Sequence, residues 1–218
     1  MPNESEEELL KICEEVIFTI NETIGVLPTN RLPASNKGTD TTLFNKLGST
    51  KEAYISYLEQ HVELLLEKQR ILLDTLLAEH ELEQNEIVEK IAAFAQHTKV
   101  GNCEQMACLA FVYLQSVIPD ARIELVTASN HMFVVINRDK GSDITKSTTY
   151  GEHAIICDPW ARRTYNANLF LVEKALYRPA APEDIYSEGS YLKGTLALYH
   201  SYEPEQNQEL QKAHGPSQ

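Results

Sequence analysis

Apolar positions recur at a helical spacing through the first half of the chain. The pattern predicts a helix from about residue 6 to 24, with Ser5 placed as its N-cap. A long amphipathic helix is predicted over about 49–80, where "STKE" has the form of a capping box, and another over about 84–96. The segment 26–48 is rich in Pro, Gly, Thr and Asn, which is typical of a long connection with little regular structure.

In the second half of the chain, the spacing of apolar residues changes from a helical to a mixed helix-and-strand pattern. A helix is predicted to begin at Cys103 and to end near Ser116, and segments rich in β-branched residues then predict strands over 122–128, 131–138 and 153–160. A long hairpin loop separates the second of these strands from the third. Residues 167–178 have a helical pattern, and 183–200 are expected to be irregular or partly strand. Together the two halves predict an α+β fold.

Three regions follow from this pattern. Residues 1–96 form a helical N-terminal region that packs on or caps the rest, 97–202 form the core, and 203–218 have the composition of a disordered tail. A chain of 218 residues with 43% hydrophobic and 23% charged residues is long enough for one domain with a substantial core.

Charge and composition exclude several classes of function. The net charge of −13, from 32 acidic against 19 basic residues, argues against a nucleic-acid-binding surface, because phosphates are neutralised by clustered Lys and Arg. No apolar run is long enough to span a bilayer, and the acidic start "MPNESEEELL" lacks the form of a signal peptide. We therefore expect synthesis in the cytoplasm, where the four cysteines, in no C-x-x-C pattern, would be free thiols.

Three residues have the chemistry and the order of a catalytic triad. Cys103 is predicted at a helix N-terminus, where the helix dipole and free N–H groups favour the nucleophilic thiolate. His131 opens a predicted strand and would take the thiol proton, and Asp158 ends another strand and would orient the imidazole. Strand alternation turns Cys157 away from Asp158, which favours Cys103 as the nucleophile.

The quoted segments "GNCEQMACLAFVYL", "NHMFVVINR" and "AIICDPWARRTY" resemble the Cys, His and Asp blocks of the papain-like and transglutaminase-like thiol-enzyme superfamily, in particular its bacterial secreted effectors. The resemblance covers about residues 100–165. It implies a nucleophile helix packed on a small antiparallel sheet, acyl transfer through a thioester, and the roles of nucleophile, base and orienter for Cys103, His131 and Asp158. The short spacing between these residues is more similar to the compact transglutaminase-like core than to papain-type proteases.

Further residues are assigned by the logic of such sites. An oxyanion hole would combine the backbone N–H of Cys103 with a second donor, for which Gln96 and Asn102 are alternatives, and Trp160 would wall the site or simply pack. The remaining cysteines, Cys13, Cys108 and Cys157, are expected in the core. We expect His97 and His61 on helix surfaces and His153 at the surface or a strand edge.

Three classes of function are left open. The leading one is a thiol enzyme that attacks an amide of a protein substrate, as a glutamine deamidase or transglutaminase, with a cysteine protease as the alternative. The second is a non-catalytic protein-binding module on the same fold, and the third is a zinc-containing structural protein, although recognisable ligand spacing is missing. The leading hypothesis needs no cofactor or metal. Its substrate would be a host protein reached through a dedicated secretion system without a cleaved signal peptide.

Overall fold

The computed structural model describes residues 5–28, 63–79, 82–128, 131–170 and 195–204. These residues form an α+β fold, as predicted. Its helices are α1 (Glu6–Phe18), which continues as a π-helical segment (Thr19–Ile24), α2 (Glu63–Glu79), α3 (Gln84–Thr98) and α4 (Cys103–Val117). Short 3-10 turns lie at Ser147–Thr149 and Ala167–Leu169.

The strands form two sheets. They are β1 (Leu27–Pro28), β2 (Val100–Gly101), β3 (Ile123–Ala128), β4 (His131–Ile136), β5 (Ile155–Asp158), β6 (Arg163–Asn166) and β7 (Leu196–Tyr202). The larger sheet has the order β6-β5-β4-β3-β7 and every neighbouring pair in it is antiparallel. β1 and β2 pair in parallel, which holds the chain after α1 beside the segment that leads into α4.

Hydrophobic packing covers both faces of the larger sheet, because alternate residues of each strand point to opposite faces. On one face, Val134 of β4 and Cys157 of β5 belong to a buried cluster with residues of α1, α3 and α4. On the other face, Phe133 and Ile156 belong to a second cluster with Tyr150 and other side chains. The sheet is therefore enclosed between the helices and a second apolar layer.

Most of the predicted elements are confirmed. α1 begins at Glu6 after the predicted cap, since the Ser5 hydroxyl accepts a hydrogen bond from the Glu8 N–H at 3.2 Å, and the helical run reaches Ile24 through its π-helical end. The predicted helices at 84–96 and from Cys103 are observed as α3 and α4. The three predicted strands are observed as β3, β4 and β5, each somewhat shorter than predicted.

The structure also differs from the prediction at several positions. β6 was not predicted, and β7 lies at 196–202, where only an irregular or partial strand was expected. The predicted helix over 167–178 begins as a 3-10 turn at Ala167–Leu169, and the Asn166 side-chain oxygen caps this turn by accepting a hydrogen bond from the Asn168 N–H. The described part of this prediction ends at residue 170.

Some predictions lie outside the described residues. They are the connection beyond residue 28, the capping box and first part of the long helix up to residue 62, His61, the positions 171–178 and the tail from 205. In the part of the chain that the structure describes, no helix is both long enough and apolar enough to cross a membrane.

Candidate active site

Cys103 is the first residue of α4, as the sequence predicted, and the turn before it is held by a reciprocal cap. The Asn102 side-chain oxygen accepts a hydrogen bond from the Glu104 N–H at 3.1 Å, and the Gln105 side-chain oxygen accepts one from the Asn102 N–H at 3.0 Å. These bonds satisfy N–H groups that a helix start otherwise leaves open. The cap therefore fixes the backbone on which the thiol is carried.

A glycine is required immediately before this cap. A Cβ on Gly101 would lie 2.8 Å from the Gln105 Cβ and 3.4 Å from a Val26 methyl. The first distance is shorter than real contacts allow, so the close approach of β2 to the first turn of α4 depends on the missing side chain. In the "GNC" sequence, Gly101 thus allows the close approach, Asn102 caps the helix and Cys103 carries the thiol.

His131 and Asp158 meet at one end of the larger sheet. The register of β4 and β5 pairs Val134 with Cys157, which places Asp158 two positions along from His131 on the same face, as diagonal neighbours. The imidazole Nε2 and the Asp158 Oδ2 are 2.6 Å apart. His131 is 3% exposed and Asp158 is 0% exposed, so this pair lies in a low-dielectric environment.

The Cys103 thiol is the third member of this arrangement, since it lies close enough to the His131 imidazole to affect its protonation. Nε2 of the ring faces Asp158. Burial disfavours a charged ring, but the Asp158 carboxylate, through its charge and its hydrogen bond, and the Cys103 thiol together raise the pKa of His131 to about 10. The imidazole is therefore cationic at neutral pH, and a cationic ring beside sulfur favours the thiolate.

The turn after β5 holds the second carboxylate oxygen of Asp158. The Asp158 Oδ1 accepts a hydrogen bond from the Ala161 N–H at 2.9 Å. The buried Asn21 amide donates to the Pro159 carbonyl at 2.9 Å and to the Ile17 carbonyl at 2.9 Å, which ties this turn to the end of α1. The carboxylate is therefore fixed from both sides, by the imidazole and by the backbone of its own turn.

Trp160 covers the imidazole from this same turn. Its ring lies 5.2 Å from the His131 ring in an edge-on arrangement, and the side chain is only 4% exposed. Because Trp160 belongs to the buried cluster beside the helices, it both packs and lines the site. The Cys103 side chain is 8% exposed, so the thiol is recessed at the start of α4.

The two alternatives for a second oxyanion donor differ in their surroundings. The Gln96 side chain is exposed on α3, and none of the contacts described for it joins it to the thiol. The Asn102 side chain lies beside Cys103, but its oxygen is engaged in capping α4. Both assignments stay predictions.

The other cysteines, and the histidines of the prediction that the structure describes, lie where the sequence predicted them. Cys13, Cys108 and Cys157 are fully buried, and all four cysteines are free thiols. Cys157 packs against α1, with its sulfur 4.0 Å from the Cys13 carbonyl oxygen. His153 and His97 are both exposed.

Sequence reasoning missed the polar groups that support the triad from a distance. Asn21, Gln69 and Gln105 are buried and hydrogen-bonded close to the ends of the site elements. The "C-E-Q" sequence contained the signal for Gln105, since a Gln at the third helical position after an Asn cap completes a capping box. Asn21 and Gln69 lie in helical segments that carry no such local signal.

Metal ligation and similarity to known proteins add no further assignment. Among the residues that the structure describes, no group of three His, Cys, Asp or Glu side chains is arranged to hold a metal ion. A scan against protein-family models and a search of the curated proteins found no match to this chain. The geometry of Cys103, His131 and Asp158 is therefore the basis for a functional proposal.

Proposed function

We propose that this protein is a cysteine-dependent acyl-transfer enzyme that attacks an amide of a protein substrate. The observation that carries the proposal is the grouping of thiol, imidazole and carboxylate, with the His131 Nε2 held 2.6 Å from the Oδ2 of a fully buried Asp158 and the Cys103 thiol acting on the same ring. The resemblance to the papain-like and transglutaminase-like superfamily supports the same roles. A protein-binding module on the same fold would not need a buried carboxylate paired with a histidine beside a thiol.

The proposed reaction uses Cys103 and His131 in each half of the cycle, while Asp158 holds the imidazole in place. The Cys103 thiolate attacks the amide carbon, the cationic His131 donates its proton to the leaving nitrogen, and a thioester and free amine or ammonia result. The imidazole, now neutral, then takes a proton from water or from an acceptor amine that attacks the thioester. Cleavage of the carbon–sulfur bond returns the thiolate and the cationic ring.

We further propose that the amide is that of a glutamine side chain. The Cys103 side chain is only 8% exposed and Trp160 covers the His131 ring, and a slender side chain reaches a recessed thiol more easily than a polypeptide backbone that must lie in an open groove. The short spacing from Cys103 to Asp158 also leaves few residues from which to build a second wall for such a groove. The assignment to bacterial effectors, and thus to a host protein as substrate, rests on the resemblance alone.

Intact-mass analysis of candidate protein substrates tests this proposal. Deamidation adds about one dalton because ammonia is replaced by water, whereas transamidation joins an amine with loss of ammonia. We expect one of these changes with the wild-type enzyme and neither with Cys103→Ala. Fragments that depend on Cys103, without a mass change on intact chains, would show that the enzyme is a protease.

A further inference from the structure

The hairpin turn between β5 and β6 begins directly after Asp158 and comprises residues 159–162. Two neighbouring side chains at the end of α1 bind this turn, one at its first residue and one at its last. They are Asn21 and Glu22, and both belong to the π-helical segment that continues α1. π-helical turns are rare in proteins and recur at functional sites.

The Asn21 side chain is 2% exposed, and its amide nitrogen has two hydrogens to donate. One acceptor is the Ile17 carbonyl in the preceding turn of α1, and the other is the Pro159 carbonyl, each at 2.9 Å. Because both acceptors are carbonyl groups, the nitrogen end of the amide has to face them, and its orientation is fixed. The backbone that directly follows Asp158 is therefore held to α1.

The last residue of the turn has a backbone conformation that needs support. Arg162 has φ +57°, in the left-handed region, which residues other than glycine adopt rarely and at a cost in free energy. Its Nη1 donates to the Glu22 Oε1 at 2.8 Å, and both side chains are less than one-third exposed. The preceding residue is Ala161, whose N–H binds the Asp158 Oδ1. The conformation of the turn thus determines whether this N–H reaches the carboxylate.

We infer that Asn21 and Glu22 are positioning residues of the proposed active site. By holding the turn against α1, they keep the Asp158 carboxylate within hydrogen-bond distance of the His131 Nε2. The inference rests on the proposed function and makes the end of α1 part of the catalytic unit. A merely structural role would lower the free energy of unfolding and leave the bond between Asp158 and His131 unchanged.

Proton NMR of the full chain at neutral pH tests the inference. An imidazole N–H in a short hydrogen bond to a buried carboxylate resonates far downfield, and isotopically labelled histidine with the His131→Ala variant assigns this resonance. The test variant is Asn21→Ala. Its matched control is Asn166→Ala, because Asn166 ties the other end of the same hairpin to α1, through a bond to Glu6 at 3.1 Å.

We expect Asn21→Ala to lose the downfield resonance or to shift it upfield, and to slow alkylation of Cys103 about fivefold, as for one lost hydrogen bond. Asn166→Ala should lose stability in urea unfolding but keep the wild-type resonance and alkylation rate. An unchanged resonance in Asn21→Ala, or the same change in Asn166→Ala, would overturn the inference.

A second pair of variants decides the question if Asn21→Ala does not fold. Glu22 is partly exposed, so Glu22→Ala should fold and show the same change to a smaller extent. Glu22→Gln keeps an acceptor for Arg162 and should restore the wild-type resonance. A wild-type resonance in Glu22→Ala would then overturn the inference. The proposed function fails on a separate arm, if His131→Ala leaves the alkylation rate of Cys103 at neutral pH unchanged.

Discussion

At the scale of single residues, the chemistry depends on how Asp158 sets the charge of His131. Burial alone would favour a neutral ring, and it is the carboxylate at 2.6 Å, with the thiol, that reverses this and raises the pKa of His131 to about 10. In the proposed reaction, this cationic ring protonates the leaving nitrogen. The same carboxylate is held by the Ala161 N–H, so the ring has one preferred orientation.

Replacement of Asp158 by Asn tests this role. The amide removes the negative charge and can bind the ring in the wrong tautomer, so turnover should fall by roughly a thousandfold or more while the chain stays folded. The measurement is turnover alongside the circular dichroism spectrum, with Asp120→Asn in an exposed turn as the control. A folded Asp158→Asn variant with wild-type turnover would remove Asp158 from the site.

At the scale of elements, the position of the thiol depends on how closely β2 approaches α4. Gly101 is the contact point, and the capping bonds of Asn102 and Gln105 set the first turn of the helix. At the opposite end of the sheet, Gly141 lies in the loop between β4 and β5 at φ +84°, and a Cβ added there would meet open space. The two glycines therefore serve different purposes, close packing at Gly101 and backbone conformation at Gly141.

A pair of alanine variants separates these purposes. Gly101→Ala should destabilise the fold by about 1–3 kcal/mol through overpacking and also slow alkylation of Cys103, because the first turn of α4 must shift. Gly141→Ala should cost about 1 kcal/mol through backbone strain and leave alkylation unchanged. Urea unfolding measures the change in the free energy of unfolding, and residue-resolved labelling measures the rate of Cys103 alkylation. Normal labelling of Cys103 in Gly101→Ala would contradict the role given to this contact.

At the scale of the whole molecule, the sequence predicted those features that carry a local signal. The apolar periods of α1, α3 and α4 and the β-branched runs of β3, β4 and β5 suffice to predict these elements, and Cys103, His131 and Asp158 each lie at the end of one of them. The spatial meeting of these ends follows from an antiparallel register that the hairpin imposes.

Features that depend on contacts between distant segments could not be predicted in this way. β6 is four residues long, and "RTYN" has no clear alternation because only Tyr165 of its side chains is buried. The bond from Asn21 to Pro159 spans 138 positions, and that from Gln105 to Gln69 spans 36. The presence of a glutamine or an asparagine in a helical segment does not indicate whether a distant segment will bury that side chain.

The most direct test of the account is the pH dependence of Cys103 alkylation by iodoacetamide, followed residue by residue. An ordinary thiol gains reactivity by about 80-fold between pH 6 and pH 8, as its thiolate fraction rises. His131 stays cationic throughout this range because its pKa is raised to about 10. With this cation beside the sulfur, Cys103 should react ahead of Cys13, Cys108 and Cys157 and should lose less of its rate between pH 8 and pH 6 than an ordinary thiol does.

His131→Ala is the variant that completes this measurement. Loss of the cationic ring should slow labelling of Cys103 at pH 6 by at least about tenfold and restore the steep pH dependence of an ordinary thiol. Cys13→Ala, at a buried thiol outside the site, is the control and should leave the Cys103 profile unchanged. An ordinary pH profile for Cys103 in the wild-type chain, unchanged by loss of His131, would contradict the account.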